Sequence, residues 1–360
     1  MKGSICLYKN ILISALVNLG DVVLTTGALS LIKQQFPATR ITVMVKRVVS
    51  DAVLNNPVID DVIILDYRSK ENSLSKMFST VKEIRRRQFD LYISLDRKLR
   101  PALLAFLARI PKRVGPDKVF DDNRSRVTSF YTDVVAIDHD LNGTLQAETY
   151  QKIVRHYLSI DGAAQPVFAN ITEQSRSAVD RLFNRLKHNA LKIALCVKGT
   201  FELKTYPKEY FSHIVRTLDS EFDAAFFIIG APNDRPYADE VIADIDLPVE
   251  NFCGETSLVD LAEMFNRSDL FISVDTGAAH IAATTGVKMV VMYGCTPVER
   301  WRPINPNAIA LSSREHCCPC SVKPNQCPSY PKPNCLYNIL PEQVLDACRQ
   351  LIGGSQRVGV

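Results

Sequence analysis

The chain has 360 residues, of which 46% are hydrophobic and 23% charged, and its formal net charge is +4. This length predicts two globular domains, and the composition excludes a disordered or fibrous protein. No apolar run reaches the roughly 18 residues that span a bilayer, and residues 1–5 lack the apolar stretch of a secretory leader. The sequence therefore predicts a cytoplasmic protein.

Short β-rich runs alternate with amphipathic stretches, which is typical of βαβ units and a parallel sheet. In the first half, strands are predicted at residues 11–16, 41–46, 62–65, 91–95 and 132–136. Helices are predicted around residues 22–35, 48–55, 73–88, 99–109 and 146–159. The turn-forming stretch 161–166 then indicates a linker.

The alternation begins again after the linker. A helix is predicted near residues 173–188, followed by strands at 193–197, 225–229, 270–274 and 289–293, and a last helix from 341 to about 352. The predicted fold class is α/β, with two Rossmann-like, doubly wound parallel sheets. Such sheets bind ligands beyond the carboxyl ends of their strands, so the loops there are the places to look for chemistry.

Basic residues are concentrated in the first half, where residues 1–165 hold 24 Lys and Arg against 17 Asp and Glu. Two clusters stand out, at 85–87 and at 97–100. One interpretation is that they attract an anionic substrate or an anionic membrane surface. The other is an ordinary solvated helix face.

The first strand runs into Leu19-Gly20-Asp21. Gly20 permits a tight turn, and Asp21 opens the next helix. Because Asp is a preferred N-cap, Asp21 has a structural interpretation. It also has a functional one, since a carboxylate at the carboxyl end of a strand can act as a general base.

A second motif begins at Asp275 and ends at His280, where an apolar strand runs into a helix whose first residues are small. The backbone amides of Thr276, Gly277 and Ala278 would be exposed at the start of that helix, which suits a diphosphate. Asp275 as an N-cap and His280 as an ordinary helix residue are the structural alternatives.

Two further loops follow predicted strands. Lys204 precedes Pro207 at the start of a helix and is placed to meet a phosphate, and the loop at 230–234 could contact a ribose or a base. Neither loop has the glycine pattern of a dinucleotide fold or a P-loop, which argues against a classical dehydrogenase or NTPase.

Taken together, these segments resemble glycosyltransferase family 9, the ADP-heptose:lipopolysaccharide heptosyltransferases. In chain order they are Leu19-Gly20-Asp21, Lys204 before Pro207, Gly230-Ala231-Pro232, Asp275-Thr276-Gly277-Ala278-Ala279-His280 and Tyr293-Gly294-Cys295-Thr296-Pro297. The resemblance covers the chain from about residue 10 to about residue 350.

The resemblance implies a GT-B fold whose two domains face a central cleft. Residues 1–165 would bind the acceptor, and residues 166–340, with a Cys-rich loop at 317–335, would bind the nucleotide sugar. Residues 341–360 would form a helix and tail that pack back on the first domain.

The resemblance also implies an inverting, metal-independent transfer of heptose from ADP-heptose to an anionic lipopolysaccharide core acceptor. Asp21 would be the catalytic base, and Lys204 would stabilise the departing diphosphate. The implied donor-binding residues are Gly199, Thr200, Lys204, Asp234, Thr256, Asp275, Thr276, Gly277, Ala278 and His280. The protein would work at the cytoplasmic face of the inner membrane, without a catalytic cofactor and without nucleic acid.

Other functions remain open at this point. A related enzyme could use another nucleotide sugar or a protein acceptor, and an inactive relative could serve as a binding module.

Cysteines cluster near the C-terminus, at positions 317, 318, 320, 327 and 335. Thiolates this close in a cytoplasmic chain suit a structural zinc or iron site, with Cys318, Cys320, Cys327 and Cys335 as the predicted ligands and Cys317 an alternative to Cys318. Reduced or redox-labile thiols, and disulfides, are the other interpretations. The scattered cysteines at 6, 196, 253 and 295 are predicted to be buried and reduced.

Overall fold

Two six-stranded parallel sheets organise the part of the chain that the computed structural model describes, which is residues 8–65, 74–120, 126–188, 190–320 and 323–353. The chain divides into two compact units, residues 1–170 and residues 171–360, with one sheet in each.

The sheet of the first unit has the strand order β3-β2-β1-β4-β5-β6. Its strands are β1 (Asn10–Ser14), β2 (Arg40–Lys46), β3 (Asp61–Leu65), β4 (Leu91–Ser94), β5 (Lys112–Pro116) and β6 (Asp133–Val135). The helices are α1 (Leu19–Gln35), α2 (Leu74–Arg86), α3 (Leu99–Leu107) and α4 (Gln146–Leu158), with short 3-10 helices at Arg47–Ala52 and Arg126–Phe130.

Helix α1, which follows the central strand β1, is buried at every position from Val22 to Ile32. It packs against α4 in addition to the rest of its unit. Its buried face runs without a break from Val22 to Ile32, so it lacks the polar stripe of a surface helix. Gly27 allows the chain after α4 to approach, since a Cβ there would lie 3.0 Å from the carbonyl oxygen of Ala164. This packing fixes the start of α1, which carries Asp21.

The sheet of the second unit has the order β12-β11-β10-β7-β8-β9. Its strands are β7 (Leu191–Cys196), β8 (Ala224–Ile228), β9 (Val249–Asn251), β10 (Leu270–Val274), β11 (Met289–Tyr293) and β12 (Ala308–Ser312). The helices are α5 (Glu173–Phe183), α6 (Lys208–Glu221), α7 (Arg235–Ala243), α8 (Leu258–Asn266), α9 (Gly277–Thr285), α10 (Val298–Trp301), α11 (Asn334–Tyr337) and α12 (Pro341–Gly353).

The central strands of this sheet, β10 and β11, are buried at every position. Continuous apolar runs of this kind are expected where helices cover both faces of a parallel sheet. Helix α12 packs against α6, β11 and β12 of its own unit. The predicted packing of residues 341–360 on the first domain stays a prediction, and residues 354–360 lie outside the described ranges.

Several predicted elements need correction. The helix predicted at 48–55 is a 3-10 helix at Arg47–Ala52, and strands β5, β9 and β12 were not predicted. Strand β5 reads Lys-Arg-Val-Gly-Pro, and β9 has three residues, so neither has the apolar alternation that identifies a strand. Pairing with a neighbouring strand, rather than intrinsic propensity, orders both.

The predicted linker at 161–166 belongs to the first unit. The side-chain amide of Gln151 donates to Ala164 O at 2.9 Å and accepts from Ala164 N at the same distance, and Val167 N donates to Thr26 Oγ1 at 2.9 Å. The division of the chain therefore falls after Asn170 instead of after residue 165. None of the helices in the described ranges has the length and hydropathy that a bilayer crossing requires.

Candidate active site

The second sheet reverses its winding between β7 and β10, which are neighbours although far apart in sequence. Doubly wound sheets bind ligands at this switch point, outside the carboxyl ends of the strands. Strand β7 ends here at Cys196 and β10 at Val274. The predicted donor-binding residues lie at this edge of the sheet, either in the segments that follow the strands or in the first turn of helix α9.

Lys204 and Asp275 form a direct ion pair, with 2.6 Å between Lys204 Nζ and Asp275 Oδ2. Thr296 donates its hydroxyl to the same carboxylate oxygen, also at 2.6 Å. The side chains of Lys204 and Asp275 are 16% and 8% exposed, so water screens the pair little. The carboxylate thus orients an ammonium group that keeps further N–H donors for an anion.

The loop that carries Lys204 is folded tightly onto Gly199. A Cβ at position 199 would lie 2.4 Å from both the Cβ and the carbonyl oxygen of Lys204, so no other residue fits there without moving the lysine. Lys204 ends a 3-10 helix at Glu202–Lys204, and its backbone N–H donates to Phe201 O at 2.9 Å. Thr200 is exposed at the tip of this loop.

Helix α9 begins at Gly277, and its N-cap is Thr276. The alternative in which Asp275 is the N-cap is therefore wrong, because its carboxylate bonds to Lys204 and Thr296 instead. Thr276, Gly277 and Ala278 are each half-buried. The first amides of a helix have no carbonyl one turn earlier to bond, so Gly277 and Ala278 present N–H groups at this edge.

His280 lies in the first turn of α9 and is 5% exposed. Its Nδ1 is buried without a hydrogen-bond partner among the described residues. Burial lowers the pKa of the imidazole to about 4, with nearby Asp275 opposing the shift and Lys204 adding to it. The ring is therefore neutral near pH 7, with an unsatisfied nitrogen beside the ion pair.

The remaining donor-site candidates follow β8 and β9. Asp234 accepts from Ala231 N at 3.0 Å and lies 3.3 Å from Lys198 Nζ, so it links two loops of this edge. Thr256 is half-buried just before α8, where Ser257 and Asp260 cap each other's backbone amides at 3.1 and 2.9 Å. The structure thus gathers all the predicted donor-binding residues along one sheet edge.

In the first unit, Asp21 is the third residue of α1, whose N-cap is Asn18. An N-cap role for Asp21 is therefore wrong, and Gly20 lies inside the helix rather than in a turn. Asp21 Oδ1 accepts a hydrogen bond from the hydroxyl of Tyr150 at 2.8 Å. Tyr150, on the buried face of α4, holds the carboxylate in place.

A buried carboxylate that the sequence interpretation missed, Asp96, lies where β1 and β4 end. It is 1% exposed. Asp96 Oδ2 accepts from Leu16 N at 2.7 Å, and Oδ1 accepts from Lys98 N at 2.9 Å. The hydroxyl of Ser14 donates to Oδ1 at 3.1 Å, and that of Ser94 at 3.2 Å.

Burial raises the pKa of Asp96, while these hydrogen bonds oppose the rise. Asp96 thereby anchors the segment that leads from β1 into α1 and so to Asp21. The signal in the sequence was a carboxylate directly after an apolar strand. Tyr150 gave no comparable signal, because its role depends on how α4 packs.

The cysteines do not assemble the predicted metal site. Among the described residues, no three His, Cys, Asp or Glu side chains are grouped so that they could hold a metal ion. Cys327 Sγ lies 3.7 Å from Ser329 Oγ, and Cys335 hydrogen-bonds with Cys318. Burial raises the pKa of the Cys335 thiol to about 11, and other cysteines of the same loop add to the rise. The described residues thus bring thiols near one another without forming a group that would hold a four-thiolate ion.

Cys196, Cys253 and Cys295 are buried free thiols, as predicted, and Cys6 lies outside the described residues.

Two units with Rossmann strand order, one with an oriented lysine beside a helix start, define the GT-B class of nucleotide-sugar enzymes. The sequence profile of glycosyltransferase family 9 (heptosyltransferase) matches residues 77–330. The chain belongs to this family, and its recognition from the sequence is confirmed.

Individual relatives agree with this assignment. Lipopolysaccharide heptosyltransferase 3 of Escherichia coli is 23% identical over 296 residues, which cover 81% of this chain and 85% of that protein. A family 9 glycosyltransferase structure from Veillonella parvula has a TM-score of 0.82 at 23% identity, covering 96% of this chain and 98% of that one. The E. coli ADP-heptose lps heptosyltransferase II structure has a TM-score of 0.79 at 18% identity, covering 96% and 99%. The predicted α/β, GT-B fold class is confirmed.

Proposed function

We propose that the chain transfers a heptose from ADP-heptose to an inner-core acceptor of lipopolysaccharide, with inversion at the anomeric carbon and without a divalent metal ion. The observation that carries the proposal is the Lys204–Asp275–Thr296 cluster beside the start of α9. The names of the E. coli relatives, which include ADP-heptose and lipopolysaccharide, support this choice of donor and acceptor.

In this proposal the second unit binds the donor. The diphosphate accepts hydrogen bonds from Lys204 Nζ and from the amides of Gly277 and Ala278, where the helix start favours negative charge. Neutral His280, whose Nδ1 is buried and unpaired among the described residues, adds no charge beside the lysine. The loops that carry Asp234 and Thr256 bind the adenosine end.

The first unit binds the acceptor, and the reaction is a single displacement. The oxygen of an acceptor hydroxyl attacks the anomeric carbon while Asp21 accepts the hydroxyl proton. The bond from that carbon to the β-phosphate oxygen breaks, and its electron pair departs with ADP. Attack opposite the leaving group inverts the configuration. Tyr150, which donates to Asp21 Oδ1 at 2.8 Å, keeps the base oriented.

Lys204 and the start of α9 stabilise the charge that develops on the departing diphosphate. In other enzymes a divalent cation stabilises the negative charge on a leaving phosphate. Here Lys204 is proposed to supply that stabilisation instead. Because the acceptor is lipid-linked, the proposed place of action is the cytoplasmic face of the inner membrane.

The test is mass spectrometry of acceptor products after incubation with ADP-heptose, in the presence and absence of EDTA. We expect a product heavier by one heptosyl residue, formed in equal yield with and without the chelator. NMR of the product should show the anomeric configuration opposite to that of the donor. A product formed only from another nucleotide sugar, or only on a protein, would replace this function by a related one. Absence of both transfer and donor hydrolysis would indicate a binding module.

A further inference from the structure

Three large apolar side chains are exposed on the outer helices of the first unit: Phe78 by 64%, Leu99 by 53% and Phe106 by 46%. Phe78 belongs to α2 and the other two to α3, and these helices pack on each other. Leu99, Leu103 and Phe106 are spaced four and three residues apart, so they follow one face of α3. The two helices therefore share an apolar outer surface.

The same segment is strongly basic. Residues 74–113 hold 11 Lys and Arg against 3 Asp and Glu. The acidic side chains are engaged: Asp96 is buried, Asp90 accepts from two backbone amides, and Glu83 pairs with Arg87 at 2.7 Å. The exposed surface of these helices consequently has a large positive excess.

Basic and apolar groups lie on adjoining parts of this surface. Along α2, Phe78 is followed at helical spacing by the exposed Lys82, Arg85 and Arg86. Arg85 Nη2 donates to Leu107 O at 2.8 Å, which brings the basic end of α2 to the end of α3. Arg113 lies 5.4 Å from the centre of the Phe106 ring.

We propose that this outer face of α2 and α3 docks on an anionic lipid bilayer. Lysine and arginine are attracted to anionic headgroups, and exposed Phe and Leu side chains insert at the boundary of the acyl chains. An anionic polymer would use the charges but not the apolar side chains, so the combination favours a membrane. The inference concerns binding, not the transfer reaction, and it rests on the membrane location in the proposed function, to which it adds the docking surface.

The experiment is flotation of the full-length protein with extruded vesicles. Vesicles of phosphatidylcholine with about 30% phosphatidylglycerol should bind the protein, and phosphatidylcholine alone should bind it weakly. Lys82→Ala with Arg86→Ala should weaken binding about twentyfold, because each charge near the surface contributes a few-fold. Leu99→Ser with Phe106→Ser should weaken it about tenfold through lost apolar burial.

Matched control variants lie in the second unit. Arg176→Ala with Lys187→Ala removes the same charge from exposed positions, and Leu340→Ser removes an apolar side chain that is 49% exposed. Both controls should bind vesicles as the unmodified protein does. All variants should keep the melting temperature of the unmodified protein, and calorimetry should give the same Kd for ADP. These two measurements separate a loss of docking from a loss of folding.

The proposal is overturned if the protein does not bind anionic vesicles. It is equally overturned if the second-unit control variants lose as much vesicle binding as the α2 and α3 variants. It is also overturned if a short DNA duplex competes fully and the Leu99 and Phe106 substitutions have no effect. That pattern would show simple ion exchange on a basic surface.

Discussion

The two units have the same strand order but different chemistry at their switch points. In the first, the buried Asp96 is satisfied by backbone amides and by serine hydroxyls. In the second, the buried Asp275 is satisfied by Lys204 and by the hydroxyl of Thr296. The same strand order thus holds a carboxylate that fixes a loop in the first unit and a carboxylate that orients a lysine ammonium group in the second. Only the second arrangement suits a diphosphate, which is why we assign the donor to that unit.

The largest effect is expected at Asp21, because the proposed function assigns proton transfer to this residue of the first unit alone. Asp21→Asn should lower kcat by about a hundredfold or more, since an amide cannot accept the proton. The Kd for ADP should not change. Steady-state kinetics and calorimetry on the same preparation measure both quantities.

Asp138→Asn is the matched control, because this carboxylate of the first unit is 78% exposed. It should leave kcat unchanged. Near-normal turnover of Asp21→Asn would rule out its role as the base.

The second largest effect is expected at Asp96, which anchors the segment that leads to Asp21. In Asp96→Asn, one of the two oxygens that accept from Leu16 N and Lys98 N becomes an amide, so a buried backbone N–H loses its acceptor. The free energy of unfolding should fall by about 2 kcal/mol. Transfer should slow while ADP affinity is kept, because the loop leading to Asp21 is loosened.

Asp60→Asn provides the comparison for Asp96. Asp60 also accepts from a backbone amide, Ile41 N at 2.7 Å, and pairs with Lys33 at 2.7 Å, but its side chain is 34% exposed. Water can therefore replace the lost acceptor, and an ion pair this exposed contributes little to stability. Chemical denaturation should show a smaller loss for Asp60→Asn. Equal losses would mean that burial of Asp96 is not what makes it important.

The smallest effect is expected from the titration of His280. Its pKa is lowered to about 4 in the folded protein, against about 6.5 in the unfolded chain. The unfolded state therefore binds more protons between these values, and stability is lost as the pH falls through that window. From about pH 7 to about pH 5.5, the free energy of unfolding should drop about 1 kcal/mol more in the unmodified protein than in His280→Gln.

Denaturation curves at several pH values measure this difference. Parallel pH profiles for the two proteins would show that His280 is not held neutral by burial. Asp96 should titrate with the opposite sign, because burial raises its pKa and penalises the charged form as the pH rises.

Much of the fold could be predicted from the sequence. The apolar runs at β10 and β11 predict buried strands, and the amphipathic pattern at α12 predicts a helix. Strands β5 and β9 could not be predicted, because pairing orders them more than composition does. The 3-10 helix at Arg47–Ala52 shows the same limit, since its helical spacing did not reveal the tighter winding.

The sequence also identified the residues of the second unit's site, but not their arrangement. From the sequence, Asp275 could be an N-cap. An Asp before a helix has the same sequence pattern whether it caps the helix or pairs with a lysine, and Lys204 is distant in sequence. Thr296 and Tyr150 act through contacts with residues distant in sequence, so spacing gave no role for them. Asp96 could be noticed only by its position directly after an apolar strand. The cysteine spacing suggested a metal site that the described residues do not assemble.

The central claim is that the second unit binds the donor diphosphate through Lys204. Calorimetric titration of ADP into Lys204→Ala tests it most directly, with Lys192→Ala, near the opposite end of β7, as the control. The account predicts that Kd rises about tenfold to a hundredfold for Lys204→Ala, since a hydrogen bond from a charged donor is lost, and stays constant for Lys192→Ala. An unchanged Kd in Lys204→Ala would contradict the assignment.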